Sequence, residues 1–325
     1  MQAHTDAMSG PVTDADAPLA DKPTTPESPV VEIVHGRNTT VGGMGVRRTL
    51  PHRGRRTIGA WCFVDHFGPA DVDERGMAVG PHPHIGLATV TWLLEGRVLH
   101  RDSLGSLQEI RPGQLNVMHA GNGVVHSEEG VDEYAGPLHG AQLWVAQPES
   151  TRHGEAAFEH HASLPTAEHE TAAITVLLGE LAGVTSPARA DTPLVGADLA
   201  LKGGVVDLDL DPAFEHGVVV LDGSALVDGI EIKPGELAYL GVGRPSVRLD
   251  AATAARALLL GGEPFEAEPL MWWNFVARDR AEIEKAYEDW QNASDRFPDL
   301  RLSPLARIPA PVPTWVRREQ SEVEQ

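Results

Sequence analysis

Cysteine is almost absent from the sequence: Cys62 is the only one in 325 residues. A lone cysteine excludes an internal disulfide framework and a Cys-based zinc site. Its neighbours, Ala60-Trp61-Cys62-Phe63-Val64, are apolar, so it reads as a buried, inert thiol and not as a nucleophile. Basic residues are scarce too. Against 47 Asp and Glu stand 26 Lys and Arg, a formal charge of −21. Such a surface repels phosphate backbones, which argues against direct nucleic-acid binding. No apolar run approaches the roughly 18 residues of a membrane span, so no membrane partner is expected. The first residues lack a basic stretch followed by an apolar one, so no secretory signal is visible and a cytoplasmic protein is the default expectation.

What the sequence does have is punctuation. Its 33 Gly and 25 Pro divide it into many short apolar segments, the pattern of an all-β protein. Residues 1–29 are polar, without apolar periodicity, and read as a disordered tail. Strand-like runs begin at Val30–Val34 and recur through Ile58–Phe67, Thr89–Leu94, Leu115–Met118, Val124–Glu128 and His139–Val145. After a polar stretch, 148–172, read as a linker, they resume at Ile174–Leu178 and continue to Ala257–Leu260. One helix is expected, from Asp279 to about Ala293. Ile283, Ala286, Tyr287 and Trp290 share a face, with Asp279 as N-cap and Glu282 completing a capping box.

The two halves repeat. Leu94-Glu95-Gly96 corresponds to Leu221-Asp222-Gly223, and Ile110-Arg111-Pro112-Gly113-Gln114-Leu115 to Ile232-Lys233-Pro234-Gly235-Glu236-Leu237. Two barrels of one type are expected: 30–147, then 173–325 carrying the helix and tail.

The chemistry concentrates between Pro81 and Glu128. Residues two apart on a strand point to the same side. His82 and His84 therefore share one face, and His126 and Glu128 share another. Should the faces converge, three imidazoles and a carboxylate form a first-row metal site with positions left for exogenous ligands. The second half lacks this set: Arg248 stands where His126 would fall, and Phe214-Glu215-His216 offers one histidine. His66 and His139 read either as hydrogen-bond partners for ligating imidazoles or as turn and barrel residues. His119 either lines the pocket or faces solvent. His100 and Asp102, beside a turn, read as a solvated pair, and Arg53, Arg55 and Arg56 as a solvated loop face.

Several of these motifs together resemble the pirin family of bicupins. They are Asp65-His66-Phe67-Gly68-Pro69, His82-Pro83-His84-Ile85-Gly86, Thr89 to Gly96, Ala120 to Glu128 and His139 to Val145, with Trp272-Trp273-Asn274-Phe275 in the second half. The resemblance implies two jelly-roll-like cupin β-barrels plus a C-terminal helix. It implies His82, His84, His126 and Glu128 as metal ligands, with Fe(II) as the ion. The donor set itself also suits Mn, Ni, Cu, Co or Zn. Quercetin 2,3-dioxygenase activity is implied, with a flavonol-like or other enolic substrate, dioxygen, and Glu128 as the catalytic base. The family also implies an alternative, a redox-dependent regulatory protein that binds other proteins. His119 and Asn122 depart from the family, which usually has Thr and Arg at these places.

Overall fold

The computed structural model describes residues 31–73, 76–132 and 134–316. The expected tail, 1–29, lies outside them. The described chain is built of β-strands and one longer helix, and no helix in it is long and apolar enough to cross a membrane.

Two copies of one strand arrangement account for most of it. The first has a seven-stranded sheet in the order Ala157–His161, Leu115–His119, Leu87–Glu95, Gly136–Ala146, Trp61–Val72, Met44–Leu50, Arg37–Val41. Its companion is a four-stranded sheet, Val79–His84, Val124–Glu129, Val98–Asp102, Leu107–Ile110. The second copy repeats both orders: Glu32–His35, Glu236–Gly241, Glu215–Asp222, Ala255–Gly262, Leu194–Leu201, Ala172–Leu178, Thr166–Glu168 for the large sheet, and Gly204–Asp209, Ser246–Ala251, Ala225–Val227, Ile230–Ile232 for the small one. The repeat seen in the sequence is thus a repeat of topology. Its glycines mark the same turns. Gly96, Gly113, Gly223 and Gly235 all have positive φ. A Cβ on Gly96 would sit 2.6 Å from the Pro137 carbonyl, and one on Gly223 2.9 Å from that of Ala254. Only glycine fits such turns without strain.

The chain exchanges segments between the copies. Its first described strand, Glu32–His35, pairs with Glu236–Tyr239 and so completes the second large sheet. The stretch read as a linker, 148–172, contains strands instead. Ala157–His161 pairs with Leu115–His119 of the first copy, while Thr166–Glu168 pairs with Ala173–Thr175 of the second. Period-two alternation in such short polar segments is too weak to see, because only one edge of each is covered.

The large sheets face each other across a shared core that includes Trp61, Val90, Trp92, Leu143, Val219, Leu237 and Leu258. Trp61 anchors it. Its indole N–H donates to the carbonyls of Val195 at 3.0 Å and Gly261 at 3.1 Å. Cys62, beside it, is fully buried, and burial pushes its thiol up to about 12, which accounts for an inert thiol.

After the second copy the chain returns to the first. The hairpin Leu270–Trp272/Phe275–Ala277 and the helix Arg280–Gln291 pack Trp273, Phe275, Ile283, Ala286, Trp290 and Phe297 against Ile85 and Val125. The helix begins as expected, with the Asp279 carboxylate accepting from the Glu282 N–H at 3.0 Å. The reciprocal bond of a capping box goes one residue further back, to the Arg278 N–H at 2.9 Å. This strap follows the second copy in the chain yet forms a wall of the first barrel. Phe275, fully buried, is its inward anchor. Phe275→Ala is expected to cost about 3–5 kcal/mol, measured by urea unfolding of the full chain.

Candidate metal centre

Three of the four expected ligands meet in the small sheet of the first barrel. The strand Val79–His84 runs antiparallel to Val124–Glu129, with His126 directly opposite His82 and Val124 opposite His84. All six residues of each strand are buried, so both sides of the pleat are enclosed. One ligand nitrogen from each of His82, His84 and His126 lies within 4.8 Å of the others. The rings stand 4.3–5.0 Å apart, centroid to centroid, at steep mutual angles.

Hydrogen bonds orient each ring from behind. Nδ1 of His82 faces the Gly80 carbonyl at 2.8 Å, and Nδ1 of His84 faces the Asn274 carbonyl at 3.0 Å. A carbonyl only accepts, so both rings carry their proton on Nδ1 and turn a bare Nε2 inward. Nδ1 of His126 faces Nδ1 of His100 at 3.5 Å. Among the described residues His82 Nε2 is buried without a hydrogen-bond partner, and the Nε2 atoms of His84 and His126 stand 3.0 Å apart. Lone pairs so placed repel unless a cation or proton lies between them. The donor set therefore fits a metal ion, and the hydrogen bonds from behind are those that ligating histidines require.

Burial also keeps the site neutral. It holds His82 down at about 4, and it holds His84 and His126 well below the usual imidazole range, with neighbouring rings adding to the effect. A metal then binds without displacing protons from imidazolium.

Glu128 follows two residues after His126 on the same strand, beyond a local irregularity in the pairing, and lies opposite His100. Its carboxylate stands outside the three-nitrogen cluster. It is 3% exposed, and burial pushes its carboxyl up to about 7.

A column of packing backs His84. Its ring meets Trp144 edge-on at 5.1 Å, Trp144 stacks on Phe63 at 3.9 Å, and the Arg48 guanidinium lies 4.4 Å over Phe63. Arg48 is held by two 2.6 Å bonds to Asp65, within a motif that the sequence singled out.

Other sequence expectations change. His100 and Asp102 are not solvated: both are buried, and they bond to each other at 3.1 Å beside His126. Their two-residue spacing on one strand is the same signal that marked the ligands, but the adjacent turn disguised it. His66 and His139 bond to each other, Nε2 to Nε2 at 2.9 Å, and lie outside the trio. Burial brings His66 down to about 3. His119 neither lines the site nor reaches solvent. It is buried between Glu159, at 3.8 Å, and Asp191, at 3.6 Å. Asn122 is exposed and offers its carbonyl to Arg296 at 2.7 Å. Arg55 binds Glu32 at 2.9 Å and covers the Tyr239 ring at 3.5 Å. The Asn274 carbonyl was not foreseen as a contact to a ligand, because backbone atoms leave no mark in a sequence.

Among the described residues, no second trio of this kind occurs. In the second barrel Arg248 faces outward and pairs with Asp207, its cross-strand neighbour, at 2.8 Å. The inward positions of those two strands hold Val206, Leu208, Val247 and Leu249, which fill the barrel core.

Two cupin barrels in tandem, with one three-histidine centre in the first, define the class of protein. The pirin family model matches residues 43–145, and the model of the pirin C-terminal cupin domain matches 196–298. The chain belongs to the pirin family. It is 48% identical over 276 residues to a Pseudomonas aeruginosa protein named "Putative quercetin 2,3-dioxygenase PA1205", covering 84% of this chain and 87% of that one. The crystal structure of quercetin 2,3-dioxygenase from Acinetobacter baumannii superposes with a TM-score of 0.85 at 43% identity, over 87% of this chain and 95% of that chain. The Escherichia coli pirin YhhW, solved in complex with nickel(II), has a TM-score of 0.58 at 18% identity, over 72% of this chain and all (100%) of that chain. At that distance the likeness concerns the fold.

The raised Glu128 carboxyl gives a stability prediction. In the metal-free protein its protonated form is favoured by folding, so its contribution is fully present below the ordinary value of 4.5 and is lost as pH rises through about 7. Metal-free Glu128→Gln is expected to be more stable than the wild type above pH 7, by about 1–3 kcal/mol. The two should converge as pH falls toward 4.5, in urea unfolding with a chelator present.

Proposed function

We propose that the chain is a non-haem metal dioxygenase of the quercetin 2,3-dioxygenase type, with His82, His84, His126 and Glu128 as ligands of an Fe(II) ion. The observation that carries this reading is the convergence of three buried, neutral imidazoles with their Nδ1 atoms engaged from behind. The names of the two closely similar proteins support the substrate class, a flavonol-like enolic molecule together with dioxygen. Mn, Ni, Cu, Co and Zn suit the same donors.

When bound, such an ion supplies Lewis acidity toward a phenolic or enolic oxygen, and a redox partner for dioxygen. The protein does the rest. His82 and His84 are held by backbone carbonyls, which cannot change protonation. Glu128, buried and close in sequence to His126, takes the proton of the flavonol 3-hydroxyl. Trp144 and the strap that carries Asn274 close the site from two sides and exclude bulk water, which strengthens every charge interaction inside.

Iron-loaded protein given quercetin is expected to consume dioxygen and bleach the flavonol. His84→Ala should lower the rate by at least about 100-fold through loss of the metal. Full activity of His84→Ala, or no turnover with any of the metals named, would contradict the dioxygenase. Metal-dependent and oxidation-state-dependent capture of a protein partner without turnover would instead favour the regulatory alternative.

A further inference from the structure

The three histidines are not held alike. His82 and His84 each face a backbone carbonyl, at 2.8 and 3.0 Å. His126 faces a side chain, the His100 imidazole, with 3.5 Å between the two Nδ1 atoms. His100 in turn places its Nε2 3.1 Å from Oδ2 of Asp102. The other oxygen, Oδ1, accepts the backbone N–H groups of Leu104 and Ser106, both at 2.9 Å. The strand register builds this line: His126 lies opposite Asp102, and Glu128 opposite His100. Phe158, from the strand added by the segment after the first barrel, stacks on His100 at 4.4 Å and 13°. His100 and Asp102 are buried, so water does not compete for these bonds.

We infer that Asp102 and His100 are positioning residues for the metal centre. They form a carboxylate–imidazole–imidazole line that fixes the Nδ1–H tautomer of His126 and sets how strongly its Nε2 donates. The direction of each bond follows from Asp102. An ionised carboxylate only accepts, so His100 carries its proton on Nε2 and offers a bare Nδ1 to His126. His126 therefore carries its proton on Nδ1, which leaves Nε2 free for the centre. Partial negative charge passed along the line makes His126 the most electron-rich of the three donors. That favours the higher oxidation state of a redox-active ion. The line also ties the centre to the turn at Ser103–Ser106.

This inference rests on the metal reading above, and the experiment separates the two. The amide of Asp102→Asn keeps an oxygen for Leu104 and Ser106 but turns an NH2 toward His100. His100 must then accept on Nε2 and carry its proton on Nδ1, against the N–H of His126. His100→Phe removes the link while keeping an aromatic ring beneath Phe158. Wild type, both single variants, the double variant and His82→Ala would be titrated with Co(II) in competition with a chelator. The visible Co(II) spectrum and the reduction potential of the iron-loaded forms would be recorded as well. Each single variant is expected to bind Co(II) about 10–100-fold more weakly, with an altered spectrum and a higher reduction potential. The double variant should be no worse than the weaker single one, because both cut the same line. Near-identical affinity, spectrum and potential in wild type and Asp102→Asn would overturn the inference, as would fully additive losses. Should His100→Phe fail to fold, Asp102→Asn decides alone. Wild type that binds Co(II) no better than His82→Ala would overturn the metal reading itself.

Discussion

The pairing of Val79–His84 with Val124–Glu129 sets His126 directly across from His82, and the site follows from that register. A slip of one residue would turn His82 and His84 to the other side of the pleat and scatter the three nitrogens. The register is protected by burial on both sides: Val79 packs into an apolar cluster with Phe67, Leu93 and Leu138, while Val125 packs under the C-terminal strap. Shifting either strand would expose apolar surface at both ends at once. The cost of bringing three imidazoles together is therefore met by core packing that has no ligand role.

The exchange of segments serves the same end. The second barrel holds an aliphatic interior where the first holds its histidines, and it contributes by what it returns to its neighbour. From it come the Asn274 carbonyl behind His84, the Val276 N–H bonded to the Ile85 carbonyl at 3.1 Å, and the Ile308 N–H bonded to the Pro81 carbonyl at 2.9 Å. Trp273, with φ of +51°, sits in a backbone region that side chains rarely adopt, one residue before Asn274. That strain is stored where the chain turns to present the carbonyl. Loss of the strap would remove both a ligand's hydrogen bond and a wall of the barrel.

Much of this was legible in the residues. Two-residue spacing picked out His82 with His84, and the glycine-marked turns revealed the repeat, because both are local patterns with one structural meaning; the same spacing paired His126 with Glu128, whose carboxylate stands outside the three-nitrogen cluster. The helix start at Asp279 was readable for the same reason. What could not be read depends on contacts distant along the chain. The strand Glu32–His35 joining the second sheet and the edge strands within 148–172 are set by tertiary pairing that such short segments do not encode, and the aromatic residues of the strap do not themselves say which barrel they cover. His100 and Asp102 carried the right spacing, but a neighbouring turn made solvent exposure the simpler reading. Only the fold shows that Phe158 covers His100. His66 and His139, open between ligand support and turn or barrel residues in the sequence, bond to each other instead.

The central claim is that three imidazoles converge to hold one metal ion. The most direct measurement is metal analysis combined with X-ray absorption spectroscopy of purified wild type and of His82→Ala, His84→Ala and His126→Ala. The account predicts about one first-row metal ion per wild-type chain, with imidazole scattering from about three histidines, and loss of the ion in each variant. A metal-free wild type that takes up none of the divalent ions, or a variant that keeps its ion with unchanged imidazole scattering, would contradict it.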